Sequence, residues 1–72
     1  STGGTVISSD KASSIALAKV PGATANDIRI HLDHDDGRQI YEGEIYYNRM
    51  EYEFEIDAST GTIIEWSVEH WD

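Results

Sequence analysis

The sequence predicts an α+β fold in which one N-terminal helix packs on a four-stranded antiparallel meander sheet. Apolar residues recur at helical spacing only in the first third of the chain, whereas four later segments alternate between apolar and polar residues. Clusters of turn residues separate those four segments by only a few positions. Such short connections join antiparallel strands, and a sheet with one apolar face must bury that face against another element.

The helix is predicted from about residue 9 to residue 20. Ser8 or Ser9 can cap its first N–H groups, and Asp10 falls in the first turn, where the helix dipole favours a negative charge. The expected buried face consists of Ala12, Ile15, Ala16 and Val20, with Leu17 on its flank. Pro21-Gly22 ends the helix because proline disfavours helical geometry in the residue before it.

The four strands are predicted to follow a single turn at Thr24-Ala25-Asn26-Asp27. The residues expected on the inner face are Ile28, Ile30 and Leu32, then Tyr41, Gly43, Ile45 and Tyr47, then Tyr52, Phe54 and Ile56, and finally Ile64, Trp66 and Val68. Turns are expected at residues 35–38, 47–50 and 57–61. One helix is too small to cover four strands, so we expect Trp66, Trp71 or Tyr47 to stay partly exposed or to meet another chain.

Length and charge limit the class of protein. The chain has 72 residues, no cysteine and a formal net charge of −9. We expect a flexible lead-in over residues 1–6 and one domain over residues 7–72. The five Lys and Arg residues are scattered along the chain, which argues against nucleic-acid binding, and no apolar run approaches the roughly 20 residues of a membrane span.

The outer face of the predicted sheet is acidic. It is expected to carry nine of the fourteen acidic residues, namely Asp33, Asp35, Glu42, Glu44, Glu51, Glu53, Glu55, Glu65 and Glu69. One interpretation is a solvated face that keeps the domain soluble. The other is a negative surface that attracts a cationic partner or gathers Ca²⁺. The residues assigned to such a partner-binding face are Glu42, Glu44, Glu51, Glu53, Glu55 and Glu65.

Metal binding and catalysis find little support in the residue pattern. The stretch HLDHDDG, residues 31 to 37, does not fit an EF-hand loop, because Leu32 and Gly43 would occupy its first and last ligand positions. His31 and Asp33 share one face and supply half of the four ligands of a structural zinc site. His70 lacks assignable partners for nucleophilic catalysis. We therefore predict no metal site, no cofactor and no enzyme activity.

The pattern as a whole resembles a PepSY domain, the peptidase propeptide and YpeB domain. The segment that carries the resemblance most specifically is Tyr52-x-Phe54-x-Ile56-Asp57-x-x-Thr60-Gly61-x-Ile63, which is a strand, a turn that Asp opens and Gly closes, and the next strand. The helix and the middle strand agree with the same family, so the resemblance covers about residues 7 to 69. Asp57, Thr60 and Gly61 are expected to be structural turn residues.

The resemblance implies a non-catalytic, extracytoplasmic bacterial module that inhibits or regulates secreted peptidases or cell-wall hydrolases. The partner it implies is a secreted peptidase or cell-wall hydrolase, with no catalytic residues and no cofactor to carry over to this chain. The alternative is a structural spacer or ligand-sensing domain of a bacterial envelope lipoprotein. A small hydrolase is the third reading, and it has no convergent set of catalytic residues in the sequence.

Overall fold

The computed structural model describes residues 5–71, apart from the side chain of Asp35. Helix α1 spans Ser9–Leu17, a short 3₁₀ turn spans Ala25–Asp27, and the four strands are β1 (Ile28–Asp35), β2 (Arg38–Tyr47), β3 (Met50–Asp57) and β4 (Ile63–His70). The strands form one antiparallel sheet in the order β1-β2-β3-β4. The predicted fold class, one helix and a four-stranded meander, is confirmed.

Helix α1 begins where the sequence predicts and ends earlier. The Ser8 hydroxyl caps it by accepting a hydrogen bond from the Lys11 N–H at 3.0 Å, and Asp10 lies in the first turn. The predicted end at residue 20 is wrong, because the regular helix stops at Leu17. The Lys19 and Val20 N–H groups instead bond the carbonyls three residues earlier, which tightens the chain into a turn before Pro21.

The core lies between α1 and the centre of the sheet. Its buried members are Ala12, Ala16, Val20, Tyr41, Ile45, Phe54, Ile56 and Ala58. The two helix alanines are fully buried, and their small side chains let the helix approach the strands closely. Ile15 of the predicted buried face is only half-buried.

Three residues assigned to the inner face are exposed: the register keeps Leu32 and Val68 on that face, opposite Tyr41 and Tyr52, whereas the assignment of Ile64 is wrong. Leu32, Ile64 and Val68 are 43%, 38% and 49% exposed. Leu32 and Val68 lie on the two edge strands, beyond what a nine-residue helix covers. Ile64 is displaced by an irregularity in the β3–β4 pairing, which places Ile63 opposite Ile56 and packs Ile63 against the core.

Aromatic side chains remain partly exposed, as predicted. Trp71 is 53% exposed, and Trp66 and Tyr47 are half-buried. The Trp66 ring stacks on Phe54 at 5.9 Å between centroids, and the Lys19 ammonium lies 5.2 Å from the Trp66 ring. Trp66 and Tyr47 thus leave aromatic surface on the inner face, whereas Trp71 packs on Tyr46 of the opposite face.

The N-terminal segment joins the domain through backbone contacts. Of the predicted lead-in, residues 1–4 lie outside the described part of the chain, whereas Val6 packs against the core. The Ile7 N–H donates to the Ala58 carbonyl at 2.8 Å, and the Tyr41 hydroxyl donates to the Ile7 carbonyl at 2.8 Å. These two hydrogen bonds hold the segment that precedes α1 against the sheet.

Candidate functional site

The strand register arranges the outer face in rows that run across the sheet. The first row is Arg29, Glu44, Glu53 and Ser67, the second is His31, Glu42, Glu55 and Glu65, and the third is Tyr46, Glu51 and Glu69. Carboxylates are therefore direct cross-strand neighbours in every row. Like charges directly opposite one another destabilise a sheet, so this arrangement lowers the stability of the free domain.

The members of the first two rows, except Arg29, line a shallow concavity of about 280 Å³ on the outer face. Its lining residues are His31, Glu42, Gly43, Glu44, Glu53, Phe54, Glu55, Glu65 and Ser67. Five of these nine residues are glutamates, and all five belong to the partner-binding face predicted from the sequence. We call this surface the acidic concavity.

Glycine at position 43 permits the close packing of the sheet beside the concavity. A Cβ atom there would clash with the Arg29 carbonyl oxygen and would lie 2.6 Å from Cζ of Phe54. Both contacts are closer than van der Waals packing allows, and one of them is with backbone. Position 43 therefore requires glycine, because there is no room for a Cβ atom between the Arg29 carbonyl and the Phe54 ring.

Glu53 is perturbed by its neighbours on the outer face. The pKa of Glu53 is raised, first by a hydrogen bond that its carboxyl shares with Glu51 and then by the negative charge of Glu51. Partial desolvation and the charges of Glu69 and Glu44 raise it further. Ionised Glu53 is thus unfavourable in the folded domain, and a nearby cation would relieve that cost.

Tyr46 lies at the margin of the same surface. Desolvation raises the pKa of its hydroxyl, and the charges of Glu51 and Glu44 raise it further. The hydroxyl donates to Oε2 of Glu51 at 3.3 Å. Glu51, the sixth residue of the predicted partner-binding face, lies beside Tyr46 in the third row and does not line the acidic concavity.

Basic side chains of β1 and β2 lie near or beyond one side of the acidic concavity. His31 on β1 has its Nε2 3.5 Å from Oε1 of Glu42. Arg38 pairs with Asp57 through Nε and Oδ2 at 3.6 Å, beyond the lining of the concavity. Within the lining, β3 and β4 contribute three glutamates and no Lys or Arg.

A three-residue group on the outer face has the composition of a metal site. His31, Asp33 and Glu42 each offer one donor atom, and these three atoms lie within 4.8 Å of one another. The sequence indicated only His31 and Asp33, which alternate on one strand. Glu42 was missed because its place opposite His31 depends on the β1–β2 register, which residue types alone do not fix.

The predicted turn residues form a compact hydrogen-bonded loop between β3 and β4. Oδ1 of Asp57 accepts hydrogen bonds from the N–H groups of Ser59 and Thr60 at 2.8 and 3.2 Å. Gly61 has a φ of +82°, and its N–H donates to the Asp57 carbonyl at 2.8 Å. Thr60 accepts from the Thr62 N–H through its hydroxyl at 3.1 Å. All three residues therefore have direct structural contacts.

A second concavity, which sequence reasoning missed, lies beside the acidic concavity. Its lining residues are Asn26, Asp27, Arg29, Glu44, Tyr46 and Trp71. The Trp71 ring packs on Tyr46 at 5.5 Å between centroids. The expected exposure of Trp71 was the only feature of the sequence that pointed to this concavity. The contribution of the turn at residues 25–27 could not be predicted, because tertiary packing brings that turn to this face.

Comparison with known proteins decides the family. The family described as "Peptidase propeptide and YPEB domain" (PepSY) matches residues 6–66. The chain belongs to the PepSY family. The predicted resemblance is confirmed, and the matched range includes the helix, the first three strands and the start of β4.

The PepSY domain is similar to a protein of Streptococcus pyogenes serotype M6 (strain ATCC BAA-946 / MGAS10394) that is called "Uncharacterized protein Spy1430". The two are 43% identical over 65 residues, which is 88% of this chain and 50% of the streptococcal protein. The chain thus spans about half the length of the curated relative it matches. No solved structure matches the chain.

Membership of the family establishes the coarse class of the domain. PepSY domains are generally non-catalytic propeptide or regulatory modules, often peptidase-inhibitory, and are typically extracytoplasmic. Within residues 5–71, no helix has the length and apolar character needed to cross a membrane.

Proposed function

We propose that this PepSY domain is a non-catalytic, extracytoplasmic regulatory module, and that its acidic concavity binds a basic surface of a secreted peptidase or cell-wall hydrolase. The bound enzyme is inhibited or modulated by the domain. The proposed contact residues are Glu42, Glu44, Glu53, Glu55 and Glu65, with Glu51 at the margin.

The observation that supports this proposal is the row of adjacent carboxylates on the outer face. Glu42, Glu55 and Glu65 follow one another directly across three strands, and the pKa of Glu53 in the next row is raised by its neighbours. A basic side chain of a partner would lower the energy of these ionised carboxylates on binding. The negative surface would also accelerate the encounter with a cationic partner.

The geometry also fits a protein partner better than a reacting small molecule. The lining glutamates are exposed or half-buried, so none of them lies in a dry cleft that would separate the pKa values of an acid–base pair. A shallow, wet and charged surface is typical of the polar part of a protein–protein interface.

The test is an inhibition and binding assay with a purified thermolysin-type metallopeptidase and a purified wall hydrolase. The domain is compared with a concavity variant, Glu53→Gln/Glu65→Gln, and with a control variant, Asp10→Asn/Asp36→Asn. Both variants change the net charge by the same amount, but only the first alters the acidic concavity. We expect the concavity variant to bind at least about tenfold more weakly, with the control close to the parent domain.

Rising salt should weaken the binding of the parent domain and narrow the gap between the two variants, because exposed charges are screened. Equal affinity of both variants, or failure to bind either enzyme, would contradict the proposal. In that case the acidic face is a solvated surface, and the structural spacer or ligand-sensing alternative becomes the better account.

A further inference from the structure

The cross-strand group His31, Asp33 and Glu42 has a geometry that none of the surrounding glutamates shares. His31 on β1 and Glu42 on β2 are direct partners in the register, and Asp33 lies two residues along β1 on the same face. One donor atom from each residue falls within a 4.8 Å limit of the other two. Two adjacent strands therefore bring three potential ligand atoms close together.

The donor atoms are accessible and largely free to bind a cation. The side chains of His31 and Glu42 are 67% and 37% exposed, so an ion reaches them from solvent without any opening of the core. Oδ1 of Asp33 accepts a hydrogen bond from the His34 N–H at 2.9 Å, which leaves its second oxygen available. Arg38, the nearest arginine along β2, is held by Asp57 at 3.6 Å.

Open space lies beside two of the three residues. His31 and Glu42 also form the β1–β2 side of the acidic concavity. A cation held by the three residues would therefore have open space on one side for water ligands. The glutamates around that space raise the local concentration of cations.

The chemistry of the donors selects the class of ion. One imidazole and two carboxylates suit zinc and related divalent transition ions, which accept three protein ligands and a water. Calcium takes six to eight oxygen ligands and is poorly served by an imidazole. Donor atoms around a tetrahedral zinc ion lie about 3.3 Å apart. The three donor atoms here lie within 4.8 Å of one another, so small rotations of these exposed side chains would bring them to that distance.

We propose that His31, Asp33 and Glu42 form a zinc-class divalent cation site with a water-filled fourth position. This revises the prediction from sequence that the chain has no metal site, because the register supplies a third ligand. The site goes beyond the proposed regulatory function, and its test uses no peptidase, so the two proposals can fail separately.

The experiment is a calorimetric titration of the domain with ZnCl₂, together with NMR observation of the histidine rings. The site variants are His31→Ala and Glu42→Gln. The matched controls are His34→Ala, which removes a neighbouring exposed histidine of the same strand, and Glu44→Gln, which removes a glutamate of the same concavity. Far-UV circular dichroism verifies that each variant keeps its fold.

We expect one zinc ion to bind per chain, with the His31 ring signals shifting first. Each site variant should lower the affinity for zinc by roughly tenfold or more. Mutating a residue that only orients a metal ligand already weakens metal binding by about this amount, and loss of a ligand itself weakens it further. Each control should stay within about twofold of the parent domain. Absence of binding at millimolar zinc would overturn the proposal, and so would an equal loss in the control variants.

Discussion

Glu53 is the residue at which the repulsion on the outer face is most evident. Its carboxyl shares a hydrogen bond with Glu51 and also experiences the charges of Glu51, Glu69 and Glu44, all of which raise its pKa. A raised pKa in the folded state means that ionising Glu53 destabilises the fold relative to the unfolded chain.

The Glu53→Gln variant should be more stable than the parent domain at neutral pH. Below the ordinary pKa of a glutamate, Glu53 is protonated in both the folded and the unfolded chain, so the difference vanishes. The destabilisation develops as the pH rises from that value through the raised folded-state pKa, and it is complete above the latter. Thermal melts between pH 4 and pH 7 measure this dependence.

The control for this prediction is Asp36→Asn, which removes a charge in the β1–β2 turn, away from the glutamate rows. Its effect on the melting temperature should change little over the same pH range. A Glu53→Gln variant that is less stable than the parent at pH 7 would show that Glu53 supports the fold, contrary to this account.

Phe54 is the residue on which the core depends most directly. Its side chain is 3% exposed, and its ring stacks on Trp66. The Phe54→Ala variant should lose about 3–5 kcal/mol of unfolding free energy, which is enough to unfold most of so small a domain. Urea denaturation followed by tryptophan fluorescence measures the loss.

Val68→Ala is the matched change at a position on the same side of the sheet. Val68 is 49% exposed, so its truncation should cost less than about 1 kcal/mol. Comparable losses in the two variants would mean that the core does not lie over the centre of β3.

At the scale of elements, the β3–β4 connection is stabilised mainly by Asp57. This one carboxylate accepts hydrogen bonds from two backbone N–H groups of the turn and pairs with Arg38 on β2. The Asp57→Ala variant should therefore lose about 1–3 kcal/mol, because two N–H groups lose their acceptor. Ser59→Ala keeps its backbone donor and should stay within about 0.5 kcal/mol of the parent. Equal stability of the two variants in a chemical denaturation experiment would contradict this role.

The elements themselves could be predicted from the sequence, because each has a local signal. Ser8 and Pro21 bracket the helix, and the paired residues Asp36-Gly37 and Asn48-Arg49 adopt positive φ at the two hairpin turns. The early end of α1 at Leu17 could not be predicted, since the last turn of a helix is set by packing and by competing hydrogen bonds.

At the scale of the whole molecule, alternation predicted which residues share a face but not which residues become neighbours. The glutamates of the acidic concavity were placed on the outer face from their parity alone. The carboxylate rows and the contact of His31 with Glu42 depend on the register between strands. The displacement of Ile64 was also beyond prediction, because an irregular pairing has no reliable signature in residue type.

The acidic concavity as a surface for a basic partner is the central claim about the whole domain. The most direct test is retention of proteins from a bacterial secreted and cell-envelope fraction on the immobilised domain. The Glu53→Gln/Glu65→Gln and Asp10→Asn/Asp36→Asn variants are immobilised in parallel. We predict that the parent and the Asp variant retain a peptidase or wall hydrolase, which mass spectrometry identifies, and that the Glu variant does not. Retention of the same enzyme by all three, or of no such enzyme by any, would contradict the claim.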